Sequence, residues 1–135
     1  MVSNIFVNLP VKDLDRSMAF FAALGFTFNP QFTNEKAACM VIGENLFSML
    51  LTEPFFQTFT KKPIADAHKT TEVLVALSVG SRSAVDEILQ KALAAGVAES
   101  RDSQDHGFMY SRAFQDFDGH IWEIFWMDTS GFPQE

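Results

Sequence analysis

The sequence predicts an α+β fold in which one domain, 1–135, holds two βαβββ modules around a shared cleft. Three observations predict it. An alternating strand pattern at Ile5–Val11 runs straight into a helical pattern, and the same order returns at 72–95. Each helix is followed by further strand patterns, not by more helices. Only two strong helical patterns exist, too few for the crossovers of a doubly wound parallel sheet.

In the first strand Ile5, Val7, Leu9 and Val11 share one face, and Phe6, Asn8 and Pro10 share the other. Asp13 is placed to cap the following helix, because its carboxylate can accept from first-turn amides. Leu14, Met18, Phe21 and Leu24 form the buried stripe, and Gly25 ends it as a left-handed residue. A strand is expected at 26–32, ended by Pro30. A hairpin of 38–43 and Leu46–Thr52 turns near Gly43-Glu44-Asn45. Module one spans 1–53.

The linker, 54–71, carries Pro54 and Pro63, an aromatic cluster (Phe55, Phe56, Phe59) and Lys61-Lys62. A short helix fits its start. Module two spans 72–128. In its first strand, 72–79, Val73, Val75, Leu77 and Val79 lie on the apolar side. Ser83 is placed to cap a helix over 83–95, with Asp86 as the partner in a weak capping box. Val85, Ile88, Leu89, Ala92 and Leu93 make its stripe, and Gly96 stops it. Strands at 108–114 and 120–127 then pair across the turn Asp116-Phe117-Asp118-Gly119. Val7–Val11 aligns with 75–79, and Ala22-Ala23-Leu24-Gly25-Phe26 with Leu93-Ala94-Ala95-Gly96-Val97. This self-similarity is what suggests a repeated module.

Composition narrows the function. The chain is 47% hydrophobic, so it has the material for a packed core. Its net charge of −7 disfavours nucleic acid and anionic membrane surfaces as partners. No apolar run approaches the ~20 residues of a membrane-spanning helix. The first residues show no basic and then apolar signal pattern. A cytoplasmic protein is expected. Cys39 is the single cysteine, so neither an internal disulfide nor a multi-cysteine metal site can form. Its apolar setting points to a buried, inert thiol.

Two segments resemble a known family. The run Leu9-Pro10-Val11-Lys12-Asp13-Leu14-Asp15-Arg16-Ser17-Met18-Ala19-Phe20-Phe21-Ala22-Ala23-Leu24-Gly25-Phe26 resembles the opening strand and helix of the vicinal oxygen chelate superfamily. That group includes glyoxalases, bleomycin- and fosfomycin-resistance proteins and extradiol dioxygenases. The run Phe114-Gln115-Asp116-Phe117-Asp118-Gly119-His120-Ile121-Trp122-Glu123 is similar to its closing turn and strand, with Phe117 in place of the usual proline.

The resemblance implies a trough that often holds a divalent metal, with ligands from the first and last strands of each module. Glu123 matches the closing carboxylate. The other positions fall near Phe6, at Ser48 or Met49, and near Leu74. Apolar side chains cannot replace an ion's hydration shell, so no metal ligand and no cofactor is expected. A register shift would admit Asn4, Asn8 or Glu72. That set lacks histidine and suits at most a weakly held oxygen-loving divalent ion. His68 belongs to the linker, His106 precedes a strand, and His120 alternates with Trp122 away from Glu123.

The cleft residues expected to touch a small-molecule ligand are Phe6 and Asn8 from module one and Glu72, Leu74, Tyr110 and Arg112 from module two. Either Tyr110 and Arg112 or Met109, Ser111 and Ala113 face the cleft. Arg112 has the fork that fits a carboxylate or phosphate. Glu123 is the candidate catalytic residue, as a base or hydrogen-bond acceptor, unless a cation such as Arg112 simply pairs with it. The reading is a glyoxalase/bleomycin-resistance-like protein that binds a small molecule without a tightly held metal. The alternative is a metal-dependent glyoxalase-like lyase or isomerase, or a dioxygenase, with a divergent site using Glu123. A third is an interaction module with a vestigial cleft. A homodimer is expected, to cover the Phe-rich surface.

Overall fold

The computed structural model describes residues 1–130, so the last residues of the expected domain lie outside the description. The described chain is α+β and divides into two compact units, Met1–Asp66 and Ala67 onward. The boundary falls inside the expected linker.

Unit one contains β1 (Ile5–Val11), α1 (Leu14–Ala23), β2 (Thr27–Phe28), β3 (Ala37–Gly43), β4 (Leu46–Thr52) and the short α2 (Glu53–Gln57). Its sheet has the order β1-β4-β3-β2. Only β1 and β4 run parallel. Asp13 caps α1 as expected, its carboxylate accepting from the Arg16 amide at 3.1 Å. Gly25 follows the helix at φ 105°. The buried face of α1 presents Leu14, Ser17, Phe20 and Phe21, so Met18 lies at the edge of the stripe and not at its centre. Beneath it lie Leu9, Val11, Met40 and Leu50. Burying each such side chain contributes roughly 1.5–3 kcal/mol.

The expected strand at 26–32 is cut short. After Phe28, Asn29 accepts from the Gln31 amide at 2.9 Å, and Pro30–Phe32 forms a single tight turn. A proline and an Asx cap together favour this turn over a continued ladder.

Unit two contains β5 (Leu74–Ser78), α3 (Arg82–Ala94), β6 (Gln104–Asp105), β7 (Met109–Gln115) and β8 (Ile121–Met127). Its order, β5-β8-β7-β6, repeats that of unit one, with β5 and β8 parallel. Strand β6 was not anticipated, because two polar residues carry no alternation. The α3 cap is Ser81, which accepts from the Ala84 amide at 3.1 Å, and not Ser83. Val85, Leu89 and Ala92 are fully buried against a core that includes Phe114, Trp122 and Ile124. Leu93 stays 38% exposed, so the stripe is narrower than its sequence suggests.

Asp86 is therefore not a capping partner. It accepts from the Tyr110 hydroxyl at 2.7 Å and from Arg112 Nη1 at 2.9 Å, tying α3 to β7. Arg82 forms a two-bond fork with Asp105, both at 2.8 Å, and lies over the rings of Tyr110 and Trp126. The Tyr110 hydroxyl and then Arg112 hold the Asp86 carboxyl below the ordinary carboxylate value. Arg82 and the Gly107 amide hold Asp105 well below it. A depressed folded pKa means stability that is fully present above the unfolded carboxylate pKa, about 3.9, and is lost progressively as pH falls from there through the lower folded pKa. The urea midpoint should therefore drop below about pH 4, and Asp86→Asn should flatten that drop. An Asp86→Asn variant with an unchanged acid profile would contradict the assignment.

Candidate functional site

Strand pairing fixes which residues share a face. In unit one Phe6 pairs with Phe47, and Asn8 with Met49 and through it with Cys39. These lie on the face away from α1. Phe6 and Phe47 stack at 4.7 Å, and Phe6 remains 47% exposed. Asn8 is exposed and turns its amide back to the Phe6 carbonyl at 3.4 Å. Ser48 belongs to the helix side, where it is buried and donates to the Val7 carbonyl at 2.9 Å. Met49 is therefore the residue at the position that the sequence left open. Cys39 is buried, and burial pushes its thiol up, away from the reactive thiolate.

In unit two the face away from α3 carries Leu74 and Ala76 of β5, Ile121, Glu123 and Phe125 of β8, and Met109, Ser111 and Ala113 of β7. Leu74 is 52% exposed. Ala76 and Ala113 flank Glu123 directly. This settles the choice on β7. Tyr110 and Arg112 pair with Trp126 and Ile124 on the helix side, away from Glu123. Arg112 spends its guanidinium on Asp86 and on Glu99, at 2.6 Å. Neither is available as an anion clamp beside Glu123. Glu72 is exposed and precedes β5, so no register shift brings it into the sheet. Strand parity was legible for β7, but the fact that α3 carries Asp86 as the acceptor for both side chains was not.

The partner of Glu123 is a residue that the sequence reading missed. Arg101 Nη2 donates to Ser111 Oγ at 2.7 Å and to Glu123 Oε1 at 3.3 Å, and its Nη1 donates to the Asp102 carbonyl. Arg101 reaches this face because the chain bulges. Glu99 pairs with Phe114, and Gln104 pairs with Ser111, so the residues between them loop out. A bulge in a polar stretch carries no periodic signal. The pair is partly exposed, with Arg101 at 27% and Glu123 at 25%. Among the described residues, three of the five guanidinium N–H groups are used, and Glu123 Oε2 accepts no hydrogen bond. The site thus offers donors and an acceptor side by side among apolar neighbours.

The residues do not fit a resident divalent metal. Unit one offers Phe6, an amide at Asn8 and a thioether at Met49. Unit two offers Leu74, Ala76 and one carboxylate already paired with a guanidinium. No group of three His, Cys, Asp or Glu among the described residues is placed to hold an ion. His68 is exposed and lies 3.4 Å from the Gln115 amide; His120 precedes β8.

The closing turn holds β8, and hence Glu123, in place. Asp116 is buried and accepts from the Asp118 amide at 2.9 Å, the His120 amide at 3.0 Å and Trp122 Nε1 at 3.0 Å. Burial pushes its carboxyl up, while His120 and these three donors pull the other way.

Two four-stranded mixed sheets with repeated βαβββ order define the glyoxalase/bleomycin resistance/dioxygenase fold. Comparison with known proteins agrees. Residues 4–43 match the family model described as bleomycin resistance protein-like N-terminal. A hypothetical protein from S. aureus superposes with a TM-score of 0.78 at 29% identity, covering 93% of this chain and 94% of that one. A glyoxalase/bleomycin resistance protein/dioxygenase family enzyme from Burkholderia phytofirmans PsJN gives 0.75 at 16% identity, with coverages of 90% and 96%. The fosfomycin resistance protein FosX from Listeria monocytogenes gives 0.68 at 23%, with 93% and 94%. No curated protein matches. The chain thus shares the fold of the glyoxalase/bleomycin resistance/dioxygenase proteins. No helix among the described residues is long and apolar enough to cross a membrane.

Proposed function

We propose that this glyoxalase/bleomycin-resistance-like protein binds a small molecule on the sheet face around Glu123, and does so without a tightly held metal. The observation that carries the reading is the Arg101–Glu123 pair. The carboxylate at the superfamily's closing ligand position is answered by the chain's own cation, and its neighbours Ala76, Ala113 and Leu74 supply no donor. Glu123 Oε2 is left to accept a hydroxyl or N–H from a ligand, with Leu74, Ile121 and Phe125 as apolar wall. Glu123 then acts as acceptor or base, with Arg101 and Ser111 fixing its orientation.

Ligands found in a thermal-shift screen of the wild type should bind Glu123→Gln about tenfold more weakly, since a hydrogen bond to a charged acceptor is worth ~1.5–3 kcal/mol. Metal content should not change. Elemental analysis after dialysis is the sharper check. Near-stoichiometric zinc, iron, nickel or manganese would favour the metal-dependent lyase, isomerase or dioxygenase instead. A screen without a single hit would favour an interaction module.

We also propose a homodimer. Ile5, Phe6, Leu46, Val73, Leu74 and Phe108 are each about half exposed, and apolar side chains in such numbers are better covered. A 15.1 kDa monomer by light scattering at micromolar concentration would overturn it. A cytoplasmic setting remains part of the proposal.

A further inference from the structure

The sheet face around Glu123 carries one negative and one positive charge. On the face away from α3, Glu123 is the one acidic or basic residue that the strands β5 to β8 place there. Gln104 pairs with Ser111 on the same face and is uncharged. Asp105 pairs with Tyr110, so it lies on the helix side, where Arg82 takes it. The second charge is Arg101, which arrives from the bulge and meets Glu123 at 3.3 Å. Asp102 meets that guanidinium through its backbone carbonyl and not its carboxylate. In a chain of net charge −7, this face is therefore locally balanced.

Arg101 is built into this face independently of Glu123. Its shortest bond goes to Ser111 Oγ at 2.7 Å, and Ser111 is buried. The bulge that carries it is closed on one side by the Glu99–Phe114 bridge and on the other by the Gln104–Ser111 pair. A ligand cation that took Glu123 from the guanidinium would therefore sit beside a like charge that stays in place. Among the described residues, Glu123 Oε2 has no donor and Arg101 Nε has no acceptor. A carboxylate ligand brings acceptors only and has no hydrogen for Oε2. An amidinium ligand brings donors only and has no lone pair for the guanidinium.

We infer that Arg101 fixes the charge class of the ligand at Glu123: an uncharged molecule with a donor beside an acceptor, a primary amide or a lactam, on an apolar body. Its N–H donates to Oε2, and its carbonyl accepts from a remaining guanidinium N–H. Its apolar body lies on the wall of Leu74, Ile121 and Phe125. A neutral ligand leaves the pair balanced, whereas a charged one adds an uncompensated charge to a partly buried site. This assignment rests on the proposal above that a ligand binds at Glu123.

The test uses three molecules of one shape with the full chain, by amide NMR titration: neutral benzamide, the benzoate anion and the benzamidinium cation. Benzamide should shift the Ser111, Ala113 and Glu123 amides and bind about tenfold tighter than either ion. Arg101→Gln removes the cation, and benzamidinium should then become the tightest of the three. Glu123→Gln removes the anion, and benzoate should become the tightest. Arg101→Lys restores the charge and should restore the wild-type order. An unchanged order in a folded Arg101→Gln variant would overturn the inference. So would either ion matching benzamide in the wild type with shifts on β8, a result that leaves binding at Glu123 standing. No shift on β7 or β8 from any of the three would instead overturn binding at Glu123, and the charge assignment with it.

Discussion

Asp116→Ala should destabilise the protein by about 4 kcal/mol, among the largest effects of any single side-chain truncation here. Three donors converge on this one carboxylate: the amides of Asp118 and His120, and the indole N–H of Trp122. Trp122 is fully buried, so its N–H cannot turn to water when the acceptor goes. A buried donor deprived of its acceptor costs ~1–3 kcal/mol, and bonds to a charged group lie at the upper end of the range. Asp116→Asn keeps one oxygen and should cost about half as much, because an amide nitrogen then meets one of the donors. Urea unfolding of the two variants against wild type measures this. A loss below about 1 kcal/mol for Asp116→Ala would show that the turn is held by its backbone alone. The consequence reaches the site, since the same turn delivers β8 and Glu123.

Gly119→Ala should cost about 3 kcal/mol, for two additive reasons. Gly119 has φ 90°, a conformation that a side chain strains. A Cβ there would also come within 2.6 Å of the Ala67 carbonyl carbon and the His68 nitrogen. Both are backbone atoms and cannot rotate away. Gly25 is the control. It has φ 105°, but a Cβ would meet nothing within 4 Å, so Gly25→Ala should carry only the conformational cost of ~1–2 kcal/mol. Equal losses in the two variants would mean that the 67–68 segment yields freely. The contact also explains why the closing turn needs glycine beyond its φ: the start of unit two passes directly over it.

The sequence by itself determined the two modules, both long helices, the caps at Asp13 and Gly25, and the position of Glu123 on the last strand. Each of these rests on local chemistry: period-two and period-3.6 burial, a carboxylate before free amides, a glycine where φ turns positive. Phe6, Asn8 and Leu74 were placed on the outward faces by the same parity. What only the tertiary structure decided is who meets whom. Tyr110 and Arg112 are drawn to the helix side because α3 holds Asp86 there and the 98–100 edge holds Glu99. Arg101 reaches Glu123 because a bulge turns it onto the opposite face, and a bulge is invisible to any periodic reading. Long polar side chains choose partners across sequence gaps of more than ten residues. Their pairing follows from the packing of whole elements and leaves no mark in the local pattern.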